Sequence, residues 1–263
     1  MGGSRLDSAE DSNAAVAAPI CMDLTLLAFD TATEHLSIAL AVRGRVFTHE
    51  SAGGAQASAT LIPAILALLE QGGVALHELD AIAFGRGPGA FTGLRTACSV
   101  AQGLAFGAGK PVLPVDTLLA IAEDARAGRA DTLCLWAAMD ARMGEVYAAQ
   151  YRFADAHWSV LDAPMLTTPE ALNRRWESQP PQVVAGNALA AFGTLLATGA
   201  AQRLPDALPR AAAMLPLARS LWARGGALDA ALALPLYLRD KVAQTTVERD
   251  AARAAKDALE ASR

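Results

Sequence analysis

The order of apolar and polar positions divides the chain into strand-like and helix-like segments. In the first half, short apolar runs at 24–29, 36–42 and 81–84 predict strands, because each run stops at turn-forming residues. Two longer segments repeat apolar residues every three or four positions, which predicts helices with one apolar side. These stripes consist of Leu61, Ile65 and Leu68 in the first helix and of Leu94, Ala97, Ala101 and Leu104 in the second.

The second half opens like the first. Segment 132–142 predicts a strand that runs into an Asp, as 24–30 does, and strand-like runs follow at 144–153 and 158–167. The two openings, "LLAFDTATEHLSIAL" and "LCLWAAMDARMGEVYAAQY", indicate a faint internal duplication, although few of their residues match.

The breaks between these segments predict the domain organisation. We expect a first domain over 23–128 and a smaller second domain over 129–210. A C-terminal helical segment at about 211–243 is expected to pack back on the first domain. The ends are interpreted as a disordered leader over 1–22 and a polar tail over 244–263.

Composition narrows the function. With 263 residues and 53% hydrophobic content, the chain can bury a substantial core. A net charge of −5 argues against a stand-alone nucleic-acid binder, which needs Lys and Arg to displace phosphate counterions. The three cysteines lack CxxC spacing, and no apolar run reaches the roughly 18 residues that span a bilayer. We therefore expect a cytoplasmic protein that lies outside the membrane.

A glycine-rich corner, "IAFGRGPGAFTGLR", lies between a predicted strand and a predicted helix. It satisfies a relaxed dinucleotide-binding pattern, but Pro88 removes a backbone N–H that a pyrophosphate would use. The interpretation we favour is structural: Gly85, Gly87 and Gly89 allow close approach of chain segments, and Thr92 caps the helix. Any phosphate contact through Gly87, Gly89 or Thr92 would then be vestigial.

Asp30, Thr31 and Thr33 follow the first strand. A carboxylate and hydroxyls at a strand end can hold a metal and a phosphate. They can equally form a local turn in which Asp30 accepts a backbone N–H two residues on. The residues alone favour neither interpretation.

Asp140, Arg142 and Glu145 follow the strand that opens the second half. They predict either an acid–base cluster or a structural ion pair at the strand end. The four histidines are scattered, with no pair at the spacing of a helical metal site, and no nucleophile motif is present. We therefore expect no bound metal and no catalytic residue.

Four segments together resemble a known family, the bacterial TsaB (YeaZ) family: "LLAFDTATEHLSIAL", "IAFGRGPGAFTGLRTACSVAQGLAFG", "MDARMGEVYAAQY" and "PLYLRDKVA". The resemblance runs from Leu24 to about Ala243. It implies an α/β protein of the actin-like (ASKHA) superfamily, with two tandem RNase H-like domains. Each domain is then expected to contain a mixed five-stranded sheet flanked by helices.

The resemblance also implies a function, the synthesis of N6-threonylcarbamoyladenosine in tRNA. It implies a non-catalytic scaffold that binds the paralogous TsaD-type transferase and works with a TsaE-type ATPase, meeting tRNA only through the complex. The transferase carries an H-x-x-x-H metal pair where this chain reads "QASATLIPAIL". We expect no resident cofactor, with ATP or ADP bound at most weakly. The alternative is an independent actin-like phosphotransferase or ATPase, or a metallopeptidase-like hydrolase.

The resemblance finally implies a docking mode. The family pairs through two helices of the first domain, which form a four-helix bundle with those of a partner. Carried over to this chain, the contact residues are the two apolar stripes: Leu61, Ile65, Leu68, Leu94, Ala97, Ala101 and Leu104. A homodimer through the same helices is expected when the partner is missing.

Overall fold

The computed structural model describes residues 24–239 apart from 129–130, so the predicted leader and polar tail lie outside it. The first five strands, β1 to β5, form one sheet in the order β3-β2-β1-β4-β5. The first three strands are antiparallel neighbours, whereas β1, β4 and β5 run parallel. The strands are β1 (Leu26–Asp30), β2 (His35–Val42), β3 (Arg45–Ala52), β4 (Ala81–Gly87) and β5 (Val112–Asp116).

Two helices, α1 (Ala57–Gly72) and α2 (Phe91–Ala108), cover one face of this sheet. Their apolar stripes pack on β1, β2 and β4, which is the arrangement that buries an amphipathic helix. Each helix stops at a glycine in the left-handed conformation, Gly73 and Gly109, where a side chain would be strained.

The second sheet repeats the first. Its order, β8-β7-β6-β9-β10, is the first order with each strand number raised by five, and the parallel and antiparallel pairings match. The predicted duplication is therefore visible in the topology. The elements are β6 (Leu133–Asp140), β7 (Val146–Ala154), β8 (His157–Thr167), α4 (Pro169–Ser178), β9 (Val183–Ala185), α5 (Ala188–Phe192) and β10 (Gln202–Leu204).

The last helix of each repeat packs on the sheet of the other repeat. Helix α3 (Thr117–Arg126) follows β5, yet Leu118 and Ile121 join the core under β6 and β7. Helix α6 (Ala211–Ala223) follows β10, yet Met214 joins the core under β1 and β4. The helix covers the face of the first sheet that α1 and α2 leave open, and it touches α3.

The predicted C-terminal helical segment at 211–243 is helical only as far as Ala223. Gly225, with a φ of +72°, and the adjacent Gly226 end α6, since glycine adopts this conformation readily and leaves the helix. The remaining described residues, 224–239, contain a short 3-10 turn at Ala230–Leu232 and no further α-helix.

Residues 234–239 form a C-terminal strap that contacts both domains. The Leu236 N–H donates to the carbonyl oxygen of Arg86 at 2.6 Å, and the Tyr237 ring packs on Phe91 with centroids 4.8 Å apart. At its end, Arg239 binds Glu145 in the second domain at 2.8 Å. The strap therefore connects the end of β4 in the first sheet to the turn that follows β6.

Candidate functional site

Asp30 ends β1 with a carboxylate that the protein itself encloses. The residue is 1% exposed. One carboxylate oxygen accepts the Ala32 N–H at 2.7 Å, and the other accepts the Thr117 hydroxyl at 3.0 Å. Burial raises the pKa of Asp30 from 3.8 to about 6, while these two hydrogen bonds act in the opposite direction. The local turn predicted as one of two alternatives is thus present.

The strand β4 closes the other side of this carboxylate. A Cβ added to Gly85 would lie 1.8 Å from an Asp30 oxygen, so only glycine fits there. The Gly87 N–H donates to the Thr117 hydroxyl at 3.2 Å, which links β4 to the same group. The polar groups around Asp30 therefore bind one another and leave no opening for a phosphate or a metal ion at this carboxylate.

The glycine-rich corner packs directly on the turn after β1. The Thr31 hydroxyl donates to the Gly93 carbonyl at 2.7 Å, and the Ala90 N–H donates to the Ala32 carbonyl at 2.8 Å. A Cβ on Gly93 would lie 1.9 Å from the backbone carbonyl oxygen of Thr31, and one on Gly89 would lie 2.6 Å from the backbone carbonyl oxygen of Ala32. The glycines here permit close backbone approach, as the structural interpretation predicts.

The predicted capping role of Thr92 is wrong. Helix α2 begins at Phe91 with Ala90 as its N-cap, and no side chain bonds the free N–H groups of its first turn. Thr92 lies inside that turn and is exposed, two residues beyond the cap position at Ala90. The Ala90 N–H is bound to the turn after β1, so tertiary packing fixes where the helix starts.

Asp140 occupies, at the end of β6, the position that Asp30 occupies at the end of β1. It lies 3.4 Å from the Arg142 guanidinium and accepts the Arg142 backbone N–H at 2.8 Å. Arg142 also binds Glu34 of the first domain at 2.7 Å, whereas Glu145 binds Arg239. The three residues predicted as a cluster thus divide between two ion-pair systems, and the structural interpretation is the one that the geometry supports.

A cleft of about 260 Å³ lies between the two halves, beside these ion pairs. Of the residues predicted to contact a nucleotide, Thr33 and Gly89 line it, whereas Asp30 and Thr31 are buried beneath. Arg142 is the only Lys or Arg among the described lining residues, and two carboxylates already bind it. This cleft is therefore poorly suited to a nucleotide phosphate tail.

Asn187 is a member of this region that sequence reasoning missed. Its side-chain oxygen accepts the Asp140 N–H at 2.9 Å and so holds the end of β6. In the sequence, Gly186 and Asn187 signal only the end of a strand. The parallel pairing of β6 and β9, which brings Asn187 beside Asp140, depends on the duplicated topology.

The predicted partner residues need correction. Six of the seven lie in the core of the first domain and are unavailable to a partner, because the apolar stripe of each helix packs on the domain's own sheet; Leu104 is half-buried. The six buried residues, which are withdrawn as partner contacts, are Leu61, Ile65, Leu68, Leu94, Ala97 and Ala101. The exposed side of the same two helices, here called the outer face, carries Ile62, Leu66, Gly103, Phe106 and Gly107.

The described residues contain neither a metal-binding cluster nor a membrane-spanning helix. Within residues 24–239, leaving out 129–130, no three His, Cys, Asp or Glu side chains come together as a metal-binding group. No helix in that same part of the chain has both the length and the apolar character needed to cross a membrane.

Comparisons with known proteins agree with this architecture. The family model described as "TsaD: tRNA N6-adenosine threonylcarbamoyltransferase" matches residues 48–247. The tRNA threonylcarbamoyladenosine biosynthesis protein TsaB of Escherichia coli is 37% identical over 224 residues, or 84% of this chain and 96% of that protein. The TsaB of Haemophilus influenzae is 36% identical over 84% of this chain and 95% of its own length.

A solved structure gives the same result. YeaZ from Pseudomonas aeruginosa is 38% identical, and it superimposes with a TM-score of 0.74 over 82% of this chain and 100% of its own. The repeated five-stranded sheets and these matches confirm the predicted tandem actin-like domains. The chain therefore belongs to the TsaB (YeaZ) family of tRNA threonylcarbamoyladenosine biosynthesis proteins.

Proposed function

We propose that the chain is a non-catalytic subunit that binds a TsaD-type tRNA N6-adenosine threonylcarbamoyltransferase through its outer face. The observation that carries this proposal is the exposure of large apolar side chains on two neighbouring helices. Ile62 is 41% exposed, Leu66 54% and Phe106 86%. Large apolar side chains exposed on neighbouring helices are typical of surfaces that a protein partner covers.

The shape of the outer face suits another helix. A Cβ placed on Gly103 or Gly107 would meet nothing within 4 Å, so the exposed side of α2 is open at these two positions and carries no side chain there. Small residues at such positions let helix axes approach to about 8 Å, and the side chains beside them then interdigitate with those of the partner. Phe106, which is almost fully exposed, has the size and position of an interface anchor.

The partners of the candidate polar groups support a role without turnover. The Asp30 carboxylate, the Thr31 hydroxyl and the Arg142 guanidinium all bind protein groups. A chain built in this way contributes surface rather than reacting groups. In this proposal the complex forms in the cytoplasm, a TsaE-type ATPase joins it there, and tRNA binds the assembly rather than this acidic chain alone.

The test uses two substitutions on the outer face, Ile62→Glu and Phe106→Glu, made together. Both side chains are exposed, so the variant should fold, whereas the corresponding change at the buried Leu61 would disrupt the core. The chain is mixed with the TsaD-type transferase of the same organism, and the mixture is run by size-exclusion chromatography. Loss of two anchors worth about 2 kcal/mol each should weaken binding by about a thousandfold and abolish co-elution.

Leu195→Glu is the matched control. Leu195 is 62% exposed but lies in the second domain, away from the outer face, so this variant should co-elute with the transferase as the parent chain does. If the isolated chain forms a homodimer, the outer-face variant should be monomeric. Co-elution of the outer-face variant with the transferase would contradict the proposed surface. Turnover of ATP or a peptide by the chain alone would contradict the non-catalytic role.

A further inference from the structure

A second cavity, of about 460 Å³, lies between α3, α6, the end of β5 and the β7–β8 hairpin. It shares no residue with the cleft beside Asp140 or with the outer face. Its volume is within the range of small-molecule sites, and junctions between domains are common locations for such sites. Its walls combine aliphatic side chains with two aromatic rings: Val115, Leu119, Leu217, Leu221, Phe153 and Trp158.

The acidic groups that line this cavity already have cationic partners. Arg86 binds Asp116 at 2.5 Å, and Arg126 binds Glu123 at 2.5 Å. The Trp158 indole N–H also donates to Glu123, at 2.7 Å, which fixes the orientation of the ring. The two ion pairs therefore leave little net charge on this part of the wall.

Arg224 supplies the remaining positive charge. It lies in the turn after α6, it is exposed, and it forms no ion pair with any described residue. An anionic group that entered the cavity would meet this guanidinium without having to displace a carboxylate. Arg is also the side chain best suited to bind a carboxylate through two parallel hydrogen bonds.

We propose that this cavity binds a planar aromatic molecule that carries one carboxylate. The ring lies against Trp158 and the leucine side chains, and the carboxylate binds Arg224. The two parts of the ligand thus correspond to two observed features of the wall, its apolar area and its surplus cation.

The experiment uses 2-naphthoate as the probe and the indole N–H resonances of the four tryptophans as the readout. In ¹H–¹⁵N spectra of the ¹⁵N-labelled chain, the Trp158 resonance is assigned by Trp158→Phe. Titration to about 5 mM should shift this resonance with a saturable curve. The resonances of Trp136 and Trp176, which lie in the other core of the second domain, should stay in place and report that the fold is intact.

Two comparisons test the charge. Arg224→Glu should weaken 2-naphthoate binding by at least about tenfold, whereas Arg174→Glu, an equally exposed arginine on α4, should leave it unchanged. The neutral analogue 2-naphthalenemethanol should bind the parent chain about tenfold more weakly than 2-naphthoate does.

The proposal is overturned if the Trp158 resonance does not move, or if Arg224→Glu and the neutral analogue bind as the parent chain binds 2-naphthoate. None of these measurements involves the transferase. A negative result with 2-naphthoate therefore leaves the outer-face proposal intact. Likewise, if the parent chain does not co-elute with the transferase, the cavity proposal stands.

Discussion

Replacing Asp30 with Asn should stabilise the protein at neutral pH. The carboxylate is fully enclosed, yet at pH 7 it carries a negative charge, because its pKa of about 6 lies below that pH. Asn has nearly the same shape. Its side-chain oxygen can accept the Ala32 N–H, and its amide can bond the Thr117 hydroxyl, so the local contacts remain while the buried charge is removed.

The size of the effect follows from the two pKa values. In the unfolded chain Asp30 loses its proton near its ordinary pKa of 3.8, and in the folded chain near 6. Between these values the folded state holds more protons, so the free energy of unfolding falls as the pH rises. The gap corresponds to about 3 kcal/mol, at about 1.4 kcal/mol for each pKa unit. The contribution of about 3 kcal/mol that protonated Asp30 makes to the free energy of unfolding is fully present below pH 3.8 and is lost above about pH 6.

The assay is urea unfolding of the parent chain and of Asp30→Asn at several pH values from 4 to 8. The advantage of the Asn variant should grow through pH 4 to 6 and level off above, reaching between about 1 and 3 kcal/mol. Asp140→Asn is the control, since Asp140 holds the equivalent strand end but pairs with an exposed arginine, and it should change stability by at most about 1 kcal/mol. An advantage that does not vary with pH would refute the reasoning about burial.

Gly93→Ala should destabilise the protein by about 3 kcal/mol or more, because the new methyl group would lie 1.9 Å from a backbone oxygen that cannot move away. Gly103→Ala, in the same helix but open to solvent, should instead stabilise the isolated chain by about 1 kcal/mol; equal effects in urea unfolding would contradict the assigned packing. Arg239→Ala should release the C-terminal strap and speed hydrogen exchange at the Leu236 amide, with Arg43→Ala as an exposed control that leaves this rate unchanged.

The helices and strands of the first domain could be predicted because their burial patterns depend on residues that are close together in the sequence. Leu61 and Ile65 repeat with helical spacing, and Gly73 stops the helix in a conformation that favours glycine. The same pattern led to the wrong partner residues. A regular apolar stripe marks the side that packs on the protein's own core, whereas an interface on the other side shows only as apolar residues outside the stripe, such as Leu66 and Phe106.

The surroundings of the candidate site residues could not be predicted, because they depend on contacts between residues that are far apart in the sequence. The enclosure of Asp30 requires Gly85 and Thr117, which lie far along the chain and reach it only through the parallel pairing of β1, β4 and β5. The pairing of Arg142 with Glu34 crosses between domains. No spacing rule connects these residues, so the sequence could name Asp30 as a candidate but could not choose between an open site and a closed turn.

The crossed positions of α3 and α6 bear on how the two repeats came to depend on each other. The helix that follows each sheet in the chain covers a face of the other sheet: α3 packs on the second sheet, and α6 packs on the first. A fragment cut between the halves would expose an entire apolar sheet face, and so neither fragment is a self-sufficient folding unit. Two such fragments produced together should bind each other through these exchanged helices, which makes the connection between α3 and β6 a natural place to split the protein into a complementing pair.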